Sequence, residues 1–447
     1  MRAGLVAVVV FVVAILGGVI GDVEAGSPIY AFQPAGLTRL QRTVGDGFRS
    51  LCLKLDAARF SGLTPLQNDL LVSGCDKVNN LGQGRDLAAA LETLSPNGAF
   101  SVGSNVTETA SAQFALIGSR LIGLRQGSTG FSREGLKLFA DAGPIVSPLA
   151  SLADSGRGAS ADSPGGPWGF FVSGTGNFGD RDATSRQPGF DFFTGTLAAG
   201  VDYRFHRDLV AGLALTVQWT QADVDGIIGG LGDVTTHSYG LSTYGTYYRG
   251  QAYVDWQVGA AGNTYETERR LVFSNVNRIA RGDTSGQQAI ANVGTGYEFP
   301  MGATTLTPYG RLEYVFLHVN GFREKRAAGL NLKLDDQDVS SLRSALGGRI
   351  THAVSTRIGV FVPQVHAEWR HEFIDDRRTI NAQFVNDPFQ TGFRFQTDRL
   401  DRNYGAVGAG VSAVLRRGVS AFVNYETIVG LEDVTNHSVT GGARLEF

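Results

Sequence analysis

Lysine, cysteine and catalytic signatures are what this 447-residue chain has little of, and each shortage excludes something. The formal net charge is -3 and no basic patch stands out, which argues against nucleic acid as a partner. Charged residues make up only 18% of the chain. There is no Gly-x-Ser-x-Gly elbow, no His-Glu-x-x-His and no phosphate loop, so the chain reads as no enzyme and implies no cofactor. His371-Glu372 has no second histidine at the spacing a zinc helix needs. The 2 cysteines, Cys52 and Cys75, have no histidine between them, too few ligands for a structural zinc site. In an exported segment such a pair reads as one disulfide. Beyond the N-terminus no apolar run is long enough to cross a membrane as a helix.

What is present begins with that N-terminus. Arg2 supplies a positive start, Leu5 to Ile20 is apolar, and Val23-Glu24-Ala25 offers small residues for a cut after Ala25. The pattern is that of a secretory signal over residues 1–25, and an uncleaved anchor is disfavoured because the apolar run is short. Residues 26–126 read as helical. Val106, Ala110, Phe114, Ile117, Leu121 and Leu124 recur at steps of three and four, one face of a helix. Thr64-Pro65 and Ser95-Pro96 look like helix starts. Residues 127–166, rich in Gly, Ser, Ala and Pro, read as a flexible linker with a short amphipathic stretch around Phe131 to Ala140.

From Pro167 the period becomes two, and twelve candidate strands follow in residues 167–447. In 190–205, Phe193, Leu197, Val201, Tyr203 and Phe205 face one way, and Thr194, Thr196, Asp202 and Arg204 the other. In 355–373, Val365, Ala367, Trp369 and Phe373 oppose Gln364, His366, Glu368, Arg370 and Glu372. Connections after even-numbered strands are short, such as His206-Arg207, Gly250 and Arg416-Arg417. Those after odd-numbered strands are mostly long: Glu266 to Ser285, Asn320 to Asp336 and Ile374 to Asp401. A soluble sandwich would not sort its loops by side; an outer-membrane barrel does, with the short turns periplasmic. The expected fold is therefore mainly β: a 12-stranded antiparallel transmembrane barrel preceded by a small α-helical, disulfide-linked segment. Leu445 and Phe447 lie on the lipid-type face of the last strand.

Leu342-Arg343-Ser344-Ala345-Leu346-Gly347-Gly348-Arg349-Ile350, the block Trp369-Arg370-His371-Glu372-Phe373, and Thr307-Pro308-Tyr309-Gly310-Arg311-Leu312-Glu313-Tyr314 resemble the translocator barrel of autotransporters (type V secretion). The resemblance covers about residues 167–447. It implies a barrel in the bacterial outer membrane with the long loops outside, entered by a linker helix. It also implies a Sec-dependent signal that is removed, insertion by the barrel-assembly machinery, contact with outer-membrane lipid, and a role in bringing an N-terminal passenger to the surface. Leu445 and Phe447 would form the signal that this machinery reads. The Gly-Asp-Ser block of autotransporter esterases is absent, and the helical segment is short for a passenger.

Arg311, Glu313, Arg343, Arg349, Glu368, Arg370 and Glu372 are the nearest thing to a site. They line either a translocation pore or the polar interior that any such barrel needs. Arg281-Gly282-Asp283 falls in an expected surface loop and is a weak adhesion motif. Two functional readings follow. In the first, the barrel anchors and exports its own short helical passenger. In the second, it is an adhesin-like display of surface loops, with the helical segment plugging the lumen or staying periplasmic; neither identifies a host or surface ligand.

Overall fold

A computed structural model describes residues 30–32, 34–104, 106–128, 168–415 and 419–446. The expected signal segment, the stretch around Phe131 to Ala140, the turn Arg416-Arg417 and Phe447 lie outside the described residues.

Alternating side chains produce the main element, a ring of twelve antiparallel strands. These are β1 (Trp168–Arg181), β2 (Phe190–His206), β3 (Leu209–Val224), β4 (Gly232–Arg249), β5 (Ala252–Phe273) and β6 (Val276–Tyr297). The other half is β7 (Thr304–Val319), β8 (Gln337–His352), β9 (Gly359–Glu372), β10 (Asn403–Leu415), β11 (Val419–Val429) and β12 (Val434–Glu446). β12 returns to β1, with Leu445 opposite Phe170, and β7 pairs with β8. Every strand thus has two neighbours and no backbone edge is left to face lipid. On β3, Leu213, Leu215, Val217 and Trp219 are exposed outward, while Thr216, Gln218 and Thr220 are buried inward.

Two expectations about the connections are corrected. Glu266 to Ser285 is no loop: β5 and β6 extend into a long hairpin closed at Ser274-Asn275, with Ser274 at φ 50°. Arg281-Gly282-Asp283 therefore lies on a strand, and Arg281 is 2.6 Å from Glu268 across the pair. The segments 320–336 and 374–401 are likewise ordered. Strands Gly392–Gln396, Thr379–Phe384, Leu332–Leu334 and Phe322–Arg323 form a second, four-stranded sheet beyond the barrel mouth.

Five helical segments precede the barrel among the described residues. Helix α1 (Arg39–Ala57) starts at a reciprocal cap between Thr38 and Gln41, and α2 (Pro65–Asp69) at the same device between Thr64 and Gln67. α2 runs on through a wider π-helical stretch, Leu70–Asp76, which carries Cys75. Cys52 on α1 is bonded to Cys75, with Cα atoms 5.5 Å apart. α3 (Arg85–Thr93), α4 (Asn97–Ser104) and α5 (Val106–Ser128) follow.

Helices α1 to α4 share one core with the strands beneath them. Phe48, Leu51, Leu55, Leu71, Leu91 and Phe100 are buried against Leu271, Phe273 and Val276 of the β5–β6 tip and against Leu330, Ile380, Phe384, Phe393 and Phe395 of the outer sheet. Each such side chain contributes roughly 1.5–3 kcal/mol on burial. Arg269 of β5 fastens the parts together: it pairs with Glu324 at 2.5 Å and donates to the Thr93 carbonyl at 2.8 Å and the Leu330 carbonyl at 2.9 Å. Arg278 pairs with Asp69 at 2.6 Å.

Candidate functional site

The lumen of the ring is occupied by α5. At the long-connection end Ala110 and Phe114 pack against Tyr265, Ile290, Val315 and Leu317. Further down, Leu116, Ile117, Leu121 and Leu124 meet Phe171, Ala198, Val210, Ala214 and Tyr244. The wall makes room for this with glycine: a Cβ on Gly200 would stand 2.3 Å from the Phe171 ring, and one on Gly212 would stand 2.7 Å from the Tyr244 hydroxyl.

Two arginines fix the helix to the wall. Arg120 donates to Asp202 from Nε at 2.8 Å and from Nη2 at 2.5 Å, and lies 5.2 Å from the Phe171 ring centre. Tyr244 donates a third hydrogen bond to Asp202 at 3.0 Å. One and a half turns on, Arg125 pairs with Asp255 at 2.5 Å, lies 3.6 Å from Glu298 and stacks 3.7 Å over Tyr253. Tyr253 and Asp255 are near the Gly250 turn, so α5 runs from the outer unit to the short-turn end.

Across the lumen stands a charged network. Arg343 and Glu313 face each other in register and bond at 2.5 and 2.8 Å. Arg311 bonds Glu313 at 2.6 Å and grips Glu368 with two donors at 2.5 and 2.6 Å. To do so it reaches across β8, where the facing residues are Ala345 and Gly347. A Cβ on Gly347 would meet Glu368 at 2.7 Å and Tyr309 at 3.0 Å. Arg370 links Glu368 at 2.5 Å to Glu426 at 2.6 Å. Arg343 also donates to Ser111 of α5 at 2.7 Å and to the Tyr404 hydroxyl at 2.9 Å. Three arginines thus stand against three glutamates; Arg343, Arg370, Glu313 and Glu368 are almost wholly buried, while Arg311 and Glu426 are about a quarter exposed.

The matching family model, described as the autotransporter beta-domain, covers residues 170–426. The chain belongs to the autotransporter family. The translocator domain of autotransporter NalP from Neisseria meningitidis matches with a TM-score of 0.51 at 16% identity, covering 71% of this chain and 100% of that one. In sequence the chain is 26% identical over 292 residues to esterase EstA of Pseudomonas aeruginosa, covering 63% of this chain and 43% of the esterase. It is 28% identical over 197 residues to a protein in the trpE-trpG intergenic region of Pseudomonas putida, covering 43% of this chain and 32% of that protein. The chain thus spans 32% to 43% of the length of these curated relatives. This autotransporter carries the family's outer-membrane barrel, a transport fold rather than a catalytic one. In outer-membrane barrels the long connections face outside and the short turns the periplasm.

Of the residues singled out from the sequence, Arg311, Glu313, Arg343, Glu368 and Arg370 come together. Arg349 stands apart, 5.3 Å from the Tyr309 ring centre. Glu372 also stands apart, accepting from the Ser341 hydroxyl at 2.6 Å and from the backbone N–H of Leu342 and Ile374 at 3.0 and 3.1 Å. Leu445 pairs by backbone with Phe170 and Val419. Sequence reasoning missed Glu426, Tyr309, Tyr404 and both helix arginines. Arg120 and Arg125 are the only charged residues from Ala110 to Arg125, a usable signal in a helix with so apolar a face. Among the described residues no group of three or more His, Cys, Asp or Glu is placed to hold a metal.

Proposed function

We propose that this autotransporter presents α1 to α4 as its passenger, docked on the outer sheet and tethered through the lumen by α5. One observation carries the reading: α5 leads from the outer unit, past Arg120 and Arg125, to the short-turn end where β1 begins. In this reading residues 1–25 are a Sec signal, 26–126 the passenger with its tether, 127–166 the linker and 167–447 the translocator. Arg311, Glu313, Arg343, Arg349, Glu368, Arg370 and Glu372 line the passage the chain takes, and Leu445 and Phe447 mark the last strand for the barrel-assembly machinery. The passenger is read as non-catalytic; the esterase relative is matched without a Gly-Asp-Ser block in this chain. An epitope inserted beside the fully exposed Phe60 tests the display. Labelling by antibody on intact cells is expected. Labelling only after the outer membrane is permeabilised would show the segment to be periplasmic and overturn the reading.

A further inference from the structure

The outer unit carries a cleft that the lumen and the shared core do not use. It encloses about 380 Å³ between the first turns of α1, the β1–β2 connection and strand Gly392–Gln396. Arg39 and Arg42 come from α1, Arg186 from the connection and Arg394 from the strand, and Asp46 is the one carboxylate on the lining. Leu40 and Phe395, both buried, form the floor.

Three separate segments thus bring four guanidinium groups to one concavity. Two carboxylates stand against the four guanidinium groups: Asp46 on the lining, and Asp398, which lies 3.7 Å from Arg186 and also takes the Thr184 hydroxyl at 2.5 Å. Partial burial, and then the positive fields of Arg377 and Arg39, hold the Arg186 guanidinium below its ordinary pKa despite Asp398. Gathering like charges costs stability, and an anion in the cleft would recover it. Guanidinium forks match the oxygens of phosphate and sulfate in pairs. The volume is that of a small-molecule site. Its floor offers a buried Phe395 rather than an open aromatic face, so it suits no stacked base, while Thr43 and Gln396 add groups that hydrogen-bond hydroxyls.

We propose that this cleft binds the phosphate or sulfate ester groups of a saccharide. The sources of that chemistry at a cell surface are the phosphorylated sugars of the bacterium's own lipopolysaccharide and sulfated glycans from outside. The inference uses the outward placement of the cleft for its ligand, yet binding by detergent-solubilised protein reads the cleft whether or not the passenger is displayed, so the two readings fail separately.

The test is equilibrium binding of the full chain in detergent to heparin, to lipopolysaccharide and to dephosphorylated lipopolysaccharide. Saturable binding is expected to heparin, to phosphorylated lipopolysaccharide, or to both, with the arm that binds naming the source. The double variant Arg39→Ser/Arg186→Ser should weaken it at least about a hundredfold, about tenfold for each guanidinium removed from the anion. Arg394→Glu, on the exposed edge strand of the outer sheet, should weaken it without touching the core, which keeps the test informative should the double variant misfold. The control Arg207→Ser/Arg249→Ser, at the short-turn end, should bind as the parent does. Absence of binding to heparin and to phosphorylated lipopolysaccharide, equal binding to the dephosphorylated form, or equal weakening by the control would overturn the proposal.

Discussion

Replacing Arg120 by alanine should unseat α5 while leaving the barrel standing. The Arg120–Asp202 pair is almost wholly shielded, with 3% and 4% of the two side chains exposed. Removing the guanidinium takes two of the three donors from Asp202 and leaves Tyr244 alone to face a buried carboxylate. Breaking a buried pair on one side costs about 3–5 kcal/mol. At about 3 kcal/mol, the equilibrium between seated and unseated helix moves by more than about a hundredfold. Arg125 still clamps the far end, so the change is partial, and Arg120→Ala/Arg125→Ala should unseat the helix further. The assay is single-channel conductance in planar bilayers: brief openings for Arg120→Ala, long ones for the double variant, few for the parent. Arg120→Leu/Asp202→Leu should restore closure, because an apolar pair of similar volume removes the stranded charge. If Arg120→Ala and Asp202→Ala both conduct as the parent does, the pair holds nothing and the reasoning fails.

Cys52→Ser/Cys75→Ser should lower the stability of the outer unit by about 3 kcal/mol through the loop the bridge closes, read as earlier protease cleavage near Gly62 while the barrel stays heat-modifiable on gels. Gly347→Val should push Glu368 and Tyr309 off their positions and break the Arg311 bridge. Reduced barrel levels at native expression are expected, and Gly348→Ala, where nothing stands within 4 Å, is the control. Burial alone would raise the Asp69 carboxyl, but Arg278, the Ser73 hydroxyl and the Gly329 N–H outweigh it and hold it below the ordinary 3.8. A depressed folded pKa gives stability that is present above the unfolded value and lost as pH falls through the folded one. Docking of the outer unit, followed by hydrogen exchange, should therefore be flat near neutrality and loosen below about pH 4, and Asp69→Asn should remove that acid limb. Glu92 acts in the opposite sense, since burial raises its carboxyl despite the Ile227 N–H.

The barrel was legible because lipid outside and a polar lumen inside impose one alternation on strand after strand. The same rule explains the misreading of 266–285. Above the membrane the sense inverts: Leu271 and Phe273 point inward beneath the helices while Glu266 and Arg270 face water. The period of two persists, but the apolar set has changed sides, and Gly282 and Gly286 thin it further. The charges of the lumen could be read from Arg311 to Glu372, yet which of them meet is decided by register. Arg311 reaches Glu368 only because Ala345 and Gly347 stand between them, and a small residue announces nothing in a sequence. The partners of Arg120 and Arg125 lie 82 and 130 positions away, beyond any local pattern.

The shared core of the outer unit has a thermodynamic direction. Phe48 packs on Phe384 and Phe100 on Phe395, rings on strands that the barrel itself holds beyond its mouth. On the near side of the membrane those neighbours are missing, so the helices bury less there than they do when docked. Each segment that emerges gains burial that it must give up again to slide back. If the helices are the passenger, as proposed, the extra burial available on one side alone biases the random motion of the chain outward.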